Sequence, residues 1–258
     1  MEIQEWRLIA LRSIIFCIVV CASCVFFSNE KTSGTSQLAR AQTEAIAETT
    51  DPPETEVFST ESIPTKNPVK PYVVVLDAGH GGMDEGTSSR DFAYHEKDIA
   101  LYLTLQVGKQ LERDGRIQVY YTRKEDKAVK KSDRVKLAEH VKADLFLSIH
   151  CNATGYGDPD AQGIETLYSM RTPKYGKVTN REFAVEILYA LEKSTGRKRR
   201  GIVQREGLYL LHHAQVPTII AEVGYMTSAE EMKYLAGAKG QKDIVRGLTT
   251  GVINLLEQ

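Results

Sequence analysis

The sequence predicts an α/β domain built on a mostly parallel, twisted sheet flanked by helices on both faces. Three apolar runs, at residues 72–80, 144–150 and 217–222, indicate its central strands. Each run is rich in Val, Ile, Leu or Phe and lacks polar alternation, which is typical of strands covered on both faces. Stretches with helical spacing of apolar residues separate these strands, and that alternation is typical of the α/β class.

The remaining elements follow from the same patterns. A helix begins at Glu96 and ends before Gly115, because apolar residues recur at helical spacing between them. The other predicted helices cover residues 132–142, with Ser132 as the N-cap, and residues 179–194, 228–235 and 241–256. The other predicted strands cover residues 117–122, 164–168 and 207–211.

Charge and composition exclude some partners. The chain has 258 residues and a formal net charge of −1 at pH 7, so it offers no overall attraction to nucleic-acid phosphates. A phosphate-binding P-loop is also excluded, because no Gly-Lys-Ser/Thr sequence follows the glycine-rich residues 77–86. Only Cys151 of the four cysteines lies outside the N-terminal apolar stretch, so no disulfide is expected within the folded part.

The N-terminus predicts a membrane anchor. Residues 8–27 are apolar except for Arg12, Ser13 and Ser23, and a spanning helix needs about 20 residues. Residues 1–27 are therefore interpreted as a single-pass signal anchor in the cell membrane. Arg7 and Arg12 favour an inside N-terminus and an extracytoplasmic C-terminal domain. A signal peptide that is cleaved to release a secreted protein, and a lipoprotein signal ending at Cys24, remain alternatives.

Two further domain boundaries follow from composition. Residues 28–70 are dominated by Thr, Glu, Ser, Pro and Ala, and they contain few large apolar residues. Such a segment buries too little apolar surface to order itself, so it is predicted to be a flexible tether. Residues 71–258 are predicted to form the folded domain.

Three chemically competent residues are expected at one edge of the sheet. His80, His150 and Glu222 each end one of the three apolar runs. In open α/β sheets, ligands bind outside the carboxyl ends of the strands. These side chains are therefore expected to meet although they are far apart in the chain.

The sequence predicts a catalytic zinc site at that edge. Such sites use three protein ligands and leave a position for water. The predicted ligands are His80, Glu96 and His150, with Glu96 at a helix N-terminus where a carboxylate is favoured by the dipole. Glu222 is predicted to act as the general base rather than as a ligand.

Other assignments remain open on residue type alone, because these ligands form no short-range signature. His95 competes with its neighbour Glu96. His140, His212 and His213 are expected to be solvated or packed, although each is a possible ligand. Asp77 is interpreted as a partner that holds His80, or as a turn residue.

Five ordered strings carry a resemblance to a known family: residues 75–86, 96–98, 148–152, 163–166 and 221–225. They resemble the zinc-dependent N-acetylmuramoyl-L-alanine amidases of the family-3 type, which are bacterial cell-wall hydrolases. The resemblance covers about residue 71 to the C-terminus. It implies zinc held by His80, Glu96 and His150, with Glu222 as the catalytic glutamate.

The same resemblance implies the substrate. The expected reaction is hydrolysis of the amide between the lactyl group of N-acetylmuramic acid and L-alanine of the peptidoglycan stem peptide. The expected partners are peptidoglycan and, through the N-terminal helix, the membrane, with no evident protein partner. The basic run 197–200 is interpreted either as a contact to the anionic wall or as a solvated surface. Two alternatives stay open: a zinc peptidase acting on another stem-peptide bond, and a wall-binding module without catalysis.

Overall fold

A computed structural model describes residues 70–257 apart from 92, 156, 157, 159 and 160. The predicted membrane segment, residues 1–27, and all but the last residue of the predicted tether, residues 28–70, lie outside this described part. Among the residues that are described, no helix combines the length and the apolar character needed to cross a membrane.

The described part contains six strands and six helices. In chain order they are β1 (Tyr72–Ala78), α1 (Glu96–Leu111), β2 (Ile117–Tyr121), α2 (Lys131–His140), β3 (Leu145–Asn152), β4 (Ile164–Tyr168), α3 (Asn180–Thr195), β5 (Arg199–Gln204), α4 (Tyr209–His213), β6 (Thr218–Tyr225), α5 (Ala229–Ala236) and α6 (Ala238–Leu256).

The strands form one sheet in the order β2-β1-β3-β6-β4-β5. β2, β1, β3 and β6 are parallel to one another. β4 is antiparallel to β6 but parallel to β5, so two strands run against the other four. The prediction of a mixed α/β fold around a mostly parallel sheet is confirmed. The three apolar runs form β1, β3 and β6, which lie next to one another.

Helices cover both faces of the sheet because the central strands are buried on both. In β1, Val74 and Leu76 join the larger core cluster, which also contains apolar residues of α1, α3 and α6. The alternate residues Val73 and Val75 join a second cluster with apolar residues of α2 and α4. Successive strand side chains point to opposite faces, and here each face has its own helical layer.

Two details of the predicted element order are wrong. Residues 207–211 were expected to form a strand, but most of this run lies in the short helix α4. The sixth strand is β5, which begins within the basic run 197–200. β5 is an edge strand whose residues are exposed or half-buried, so it lacks a strong apolar signal. A short apolar run alone does not distinguish a strand from a buried helical turn.

The helix ends show which capping signals were informative. α2 begins after Lys130, and Ser132 lies inside the helix instead of capping it. The start of α3 follows the expected pattern: the Thr179 hydroxyl accepts from the Glu182 amide, and the Glu182 carboxylate accepts from the Thr179 amide. Gly196 ends α3 in the left-handed conformation.

Candidate metal centre

Four residues predicted from the sequence converge at one edge of the sheet. His150 and Glu222 are direct neighbours, since they are register partners on the parallel strands β3 and β6. His80 lies two residues beyond the end of β1, the strand on the other side of β3. Glu96 is the first residue of α1. Together these residues line a cavity of about 640 Å³.

Three of the four form a group that can hold a metal ion. One ligand atom each from His80, Glu96 and His150 lies within 4.8 Å of the other two. Glu96 Oε1 is 3.2 Å from His80 Nε2 and 2.8 Å from His150 Nδ1. One carboxylate oxygen therefore faces both imidazoles, and two nitrogens and one oxygen match the donor set of a catalytic zinc site.

The electrostatics of this group favour an ionised Glu96 beside protonated imidazoles. A metal cation can take the place of the imidazole protons. Burial opposes ionisation of Glu96, but hydrogen bonds with His150 and His80 outweigh it and hold the pKa of the carboxyl well below its ordinary value. Burial likewise opposes protonation of the two imidazoles, yet the contacts with Glu96 raise the pKa of His80 and of His150. A metal ion must displace these protons, so binding is coupled to pH.

Two glycines allow the group to close. A Cβ added at Gly79 would lie 2.4 Å from the His150 ring, which is far inside van der Waals contact. A Cβ at Gly86, where φ is +68°, would lie 2.7 Å from both Glu96 Oε2 and His80 Cδ2. His80 itself adopts φ of 58°, a conformation that non-glycine residues rarely use and that is often found at functional sites.

Contacts outside the group orient its side chains. His80 Nδ1 lies 2.9 Å from Asp84 Oδ1, which leaves Nε2 facing Glu96. The second Glu96 oxygen accepts from the Thr87 amide at 2.9 Å, and Oε1 also accepts from the Cys151 amide at 3.1 Å. Such partners fix the orientation of ligands before a metal arrives.

From the sequence, Asp77 was interpreted as a partner that holds His80 or as a turn residue. It lies in strand β1 and reaches the His80 segment through another side chain. Asp77 is buried and accepts from Arg134, Ser148 and Thr122. Arg134 in turn donates to the carbonyl oxygen of His80 at 2.7 Å. Asp77 therefore acts on the His80 backbone through Arg134, whereas Asp84 holds the imidazole.

No role was predicted for Asp84 or Arg134 from the sequence. Asp84 stands in the glycine-rich stretch, four residues after His80, and that spacing is the one signal that it offered. Arg134 had no such signal, because the partners that connect it to the segment around His80 lie more than 50 residues away in the chain.

Glu222 has the surroundings of a proton-transfer residue. Its Oε2 atom is buried and has no hydrogen-bond partner among the described residues. Burial raises the pKa of Glu222 to about 7, and the nearby carboxylates of Glu96 and Glu165 act in the same direction. A carboxyl group with a pKa near the working pH is suited to both accepting and returning a proton.

The competing residues lie elsewhere. His95 contacts Ser88 Oγ at 2.9 Å and does not join the metal group. His140 is exposed at the end of α2, and His212 and His213 lie in α4. The thiol of Cys151 is buried within the larger core cluster, and burial raises its pKa well above the ordinary value. A buried neutral thiol is a poor metal ligand.

Comparison with known proteins identifies the family. The family model for N-acetylmuramoyl-L-alanine amidase matches residues 74–254. The chain is 28% identical over 189 residues to the N-acetylmuramoyl-L-alanine amidase LytC of Bacillus subtilis, and the match covers 73% of this chain but 36% of LytC.

Solved structures give the same result. An N-acetylmuramoyl-L-alanine amidase from Clostridium difficile 630 superposes with a TM-score of 0.69 at 30% identity, covering 74% of this chain and 99% of that one. The CwlD amidase from Clostridioides difficile, solved in complex with the GerS lipoprotein, superposes with a TM-score of 0.65 at 27% identity, covering 72% and 98%. Since the family match spans most of the described domain and contains all four converging residues, the chain belongs to the N-acetylmuramoyl-L-alanine amidase family.

Proposed function

We propose that this amidase, a peptidoglycan hydrolase by family, cleaves the bond between the lactyl group of N-acetylmuramic acid and L-alanine with one zinc ion held by His80, Glu96 and His150. The observation that carries the proposal is the convergence of this group and the unpartnered Glu222 oxygen on one cavity. Two imidazoles and a carboxylate suit zinc better than they suit Mg²⁺ or Ca²⁺, which prefer oxygen ligands.

When bound, the ion supplies Lewis acidity toward water and toward the lactyl carbonyl. Glu222 takes one proton from the attacking water as the new carbon–oxygen bond forms. It then gives that proton to the alanine nitrogen as the carbon–nitrogen bond breaks. The second water proton leaves the new carboxyl group for solvent or for the released amine, so the products are the lactyl carboxylate and a free amino terminus. A cation nearby lowers the pKa of Glu222 below the value of about 7 that it has without metal.

Digestion of purified peptidoglycan tests this proposal. The expected products are stem peptides with a new amino terminus on L-alanine, formed with zinc and not formed after chelation, as identified by mass spectrometry. New amino termini at other residues would establish a zinc peptidase instead. Wall binding without any cleavage by zinc-loaded protein would establish a non-catalytic module.

We also propose that residues 1–27 anchor the protein in the cell membrane and that residues 28–70 tether the domain of residues 71–258 on the extracytoplasmic side. The apolar run 8–27 and the polar composition that follows it support this organisation. Membrane fractionation combined with sequencing of the mature N-terminus tests it. A soluble protein that begins after residue 27 would show signal cleavage instead.

A further inference from the structure

The wall of the metal-centre cavity formed by the start of α2 is cationic. Lys130 and Lys131 both line the cavity that contains His80 and Glu222. Both lysines are exposed, and neither forms an ion pair with any residue in the described part of the chain. Their charges are therefore available to a ligand in the cavity.

This wall is fixed relative to the metal group. Arg134 is buried and donates to the carbonyl oxygens of Val129 and His80, at 3.1 and 2.7 Å. It also donates to the carbonyl oxygen of Ala78 at 2.7 Å and to the buried carboxylate of Asp77. One side chain thus joins the residue before Lys130 to the segment that carries His80.

The other charged and apolar surfaces near the cavity differ from this wall. Leu208 and Tyr209 line the cavity with large, partly exposed side chains that carry no charge. In the basic run 197–200, all three arginines have carboxylate partners. Arg197 contacts Glu230 and Glu231. Arg199 contacts Glu192, and Arg200 lies 3.7 Å from Glu165. The two lysines are the unpaired cations among the described residues lining the cavity.

We infer that Lys130 and Lys131 bind the free carboxylate of the second stem-peptide residue and so select the acid form of the substrate. The inference rests on the proposed function. The stem peptide continues from L-alanine into a D-glutamyl residue linked through its γ-carboxyl group, which leaves the α-carboxylate free unless it is amidated. This α-carboxylate is attached to the Cα atom of the second residue. That atom lies about 3.8 Å from the Cα atom of L-alanine, whose nitrogen belongs to the scissile bond. A substrate whose scissile bond lies at the metal group therefore brings this carboxylate toward the cavity that both lysines line.

The contact is between exposed charges, so its expected effect is modest. Exposed ion pairs contribute about 0.2–1 kcal/mol, which corresponds to about a 1.4- to 5-fold change for each lysine. We expect the parent enzyme to prefer an N-acetylmuramoyl peptide with D-glutamate at the second position over the same peptide with D-isoglutamine. The preference is expected in kcat/KM and to weaken with added salt, because exposed charges are screened.

The test measures kcat/KM for both substrates with the parent, Lys130→Gln, Lys131→Gln and the double variant. The double variant is expected to lose the preference for the acid substrate while keeping its rate on the amidated one. Lys131→Glu is expected to favour the amidated substrate. Lys136→Gln is the matched control, because Lys136 lies on the same helix, is exposed and does not line the cavity. Zinc content of each variant shows whether the metal group is intact.

The outcomes separate this inference from the proposed function. A parent enzyme that cleaves both substrates equally, or a preference that survives in the double variant, overturns the role of the lysines and leaves the amidase reaction standing. A zinc-loaded parent that cleaves neither substrate overturns the proposed reaction and this inference with it. Loss of the preference in Lys136→Gln as well would assign the effect to the overall charge of α2 and overturn the specific contact.

Discussion

Replacing Glu222 by Gln tests two properties of one buried carboxyl group: its role in proton transfer and its effect on how stability depends on pH. The change keeps the shape of the side chain and removes its ability to ionise. If Glu222 moves the proton, kcat is expected to fall by about 10²–10⁴-fold, which is the usual contribution of a general base. The metal content is expected to stay the same, because Glu222 is not among the residues of the metal group.

The same variant is expected to change how the stability of the metal-free protein depends on pH. The folded-state pKa of Glu222 is about 7, above the ordinary 4.5. The folded protein therefore binds the proton more tightly than the unfolded chain does. The contribution of Glu222 to stability therefore falls as pH rises from 4.5 to 7, and this loss approaches about 3 kcal/mol above pH 7. Glu222→Gln cannot ionise, so it is expected to escape this loss.

Urea unfolding of chelated parent and variant from pH 4 to pH 8 measures this difference. The gap between the two free energies of unfolding is expected to shift in favour of the variant by a few kcal/mol as pH rises, whatever constant cost the buried amide adds. Parallel curves would refute a raised pKa at Glu222. Turnover at the parental rate would refute its role as the base, even if the stability curves diverge as expected.

Three further predictions concern the metal group. Zinc affinity, measured by competition with a coloured chelator, is expected to fall as pH drops. His80 and His150 have raised pKa values, so their protons compete with the ion. Affinity independent of pH from 5 to 8 would contradict this. Asp84→Ala is expected to weaken zinc binding about 10- to 100-fold while thermal stability stays near that of the parent, since Asp84 is exposed and holds the His80 ring. Gly79→Ala is expected to lower both zinc content and unfolding free energy, because its Cβ would overlap the His150 ring; full zinc loading of a stable variant would show that the ring can move aside.

The central sheet and the convergence of three of the four residues were predictable for one reason. β1, β3 and β6 are buried on both faces, so their sequences carry continuous apolar runs. Each run ends at a polar residue, and parallel strands bring such ends together. His80, His150 and Glu222 therefore met as expected, although their roles in binding and catalysis remain predictions.

What the sequence did not reveal depends on contacts between distant segments. The helix at Tyr209–His213 was mistaken for a strand because its two buried leucines give no periodicity over so short a run. The function of Arg134 rests on carbonyl oxygens of the segment around His80, and residue type alone does not indicate such contacts. β5 was not predicted because it is an exposed edge strand, and such a strand needs few apolar residues.

β4 runs antiparallel to β6, and this direction decides where the connection before β4 lies relative to the metal group. β4 runs opposite to β3, so the connection from Asn152 to Ile164 leaves and re-enters the sheet at the same edge that carries the metal group. Both ends of this connection are anchored in buried strands. The proposed ligands lie elsewhere, in β3, at the start of α1 and just after β1. A change in the length of this connection can therefore alter the surface beside the centre without moving them.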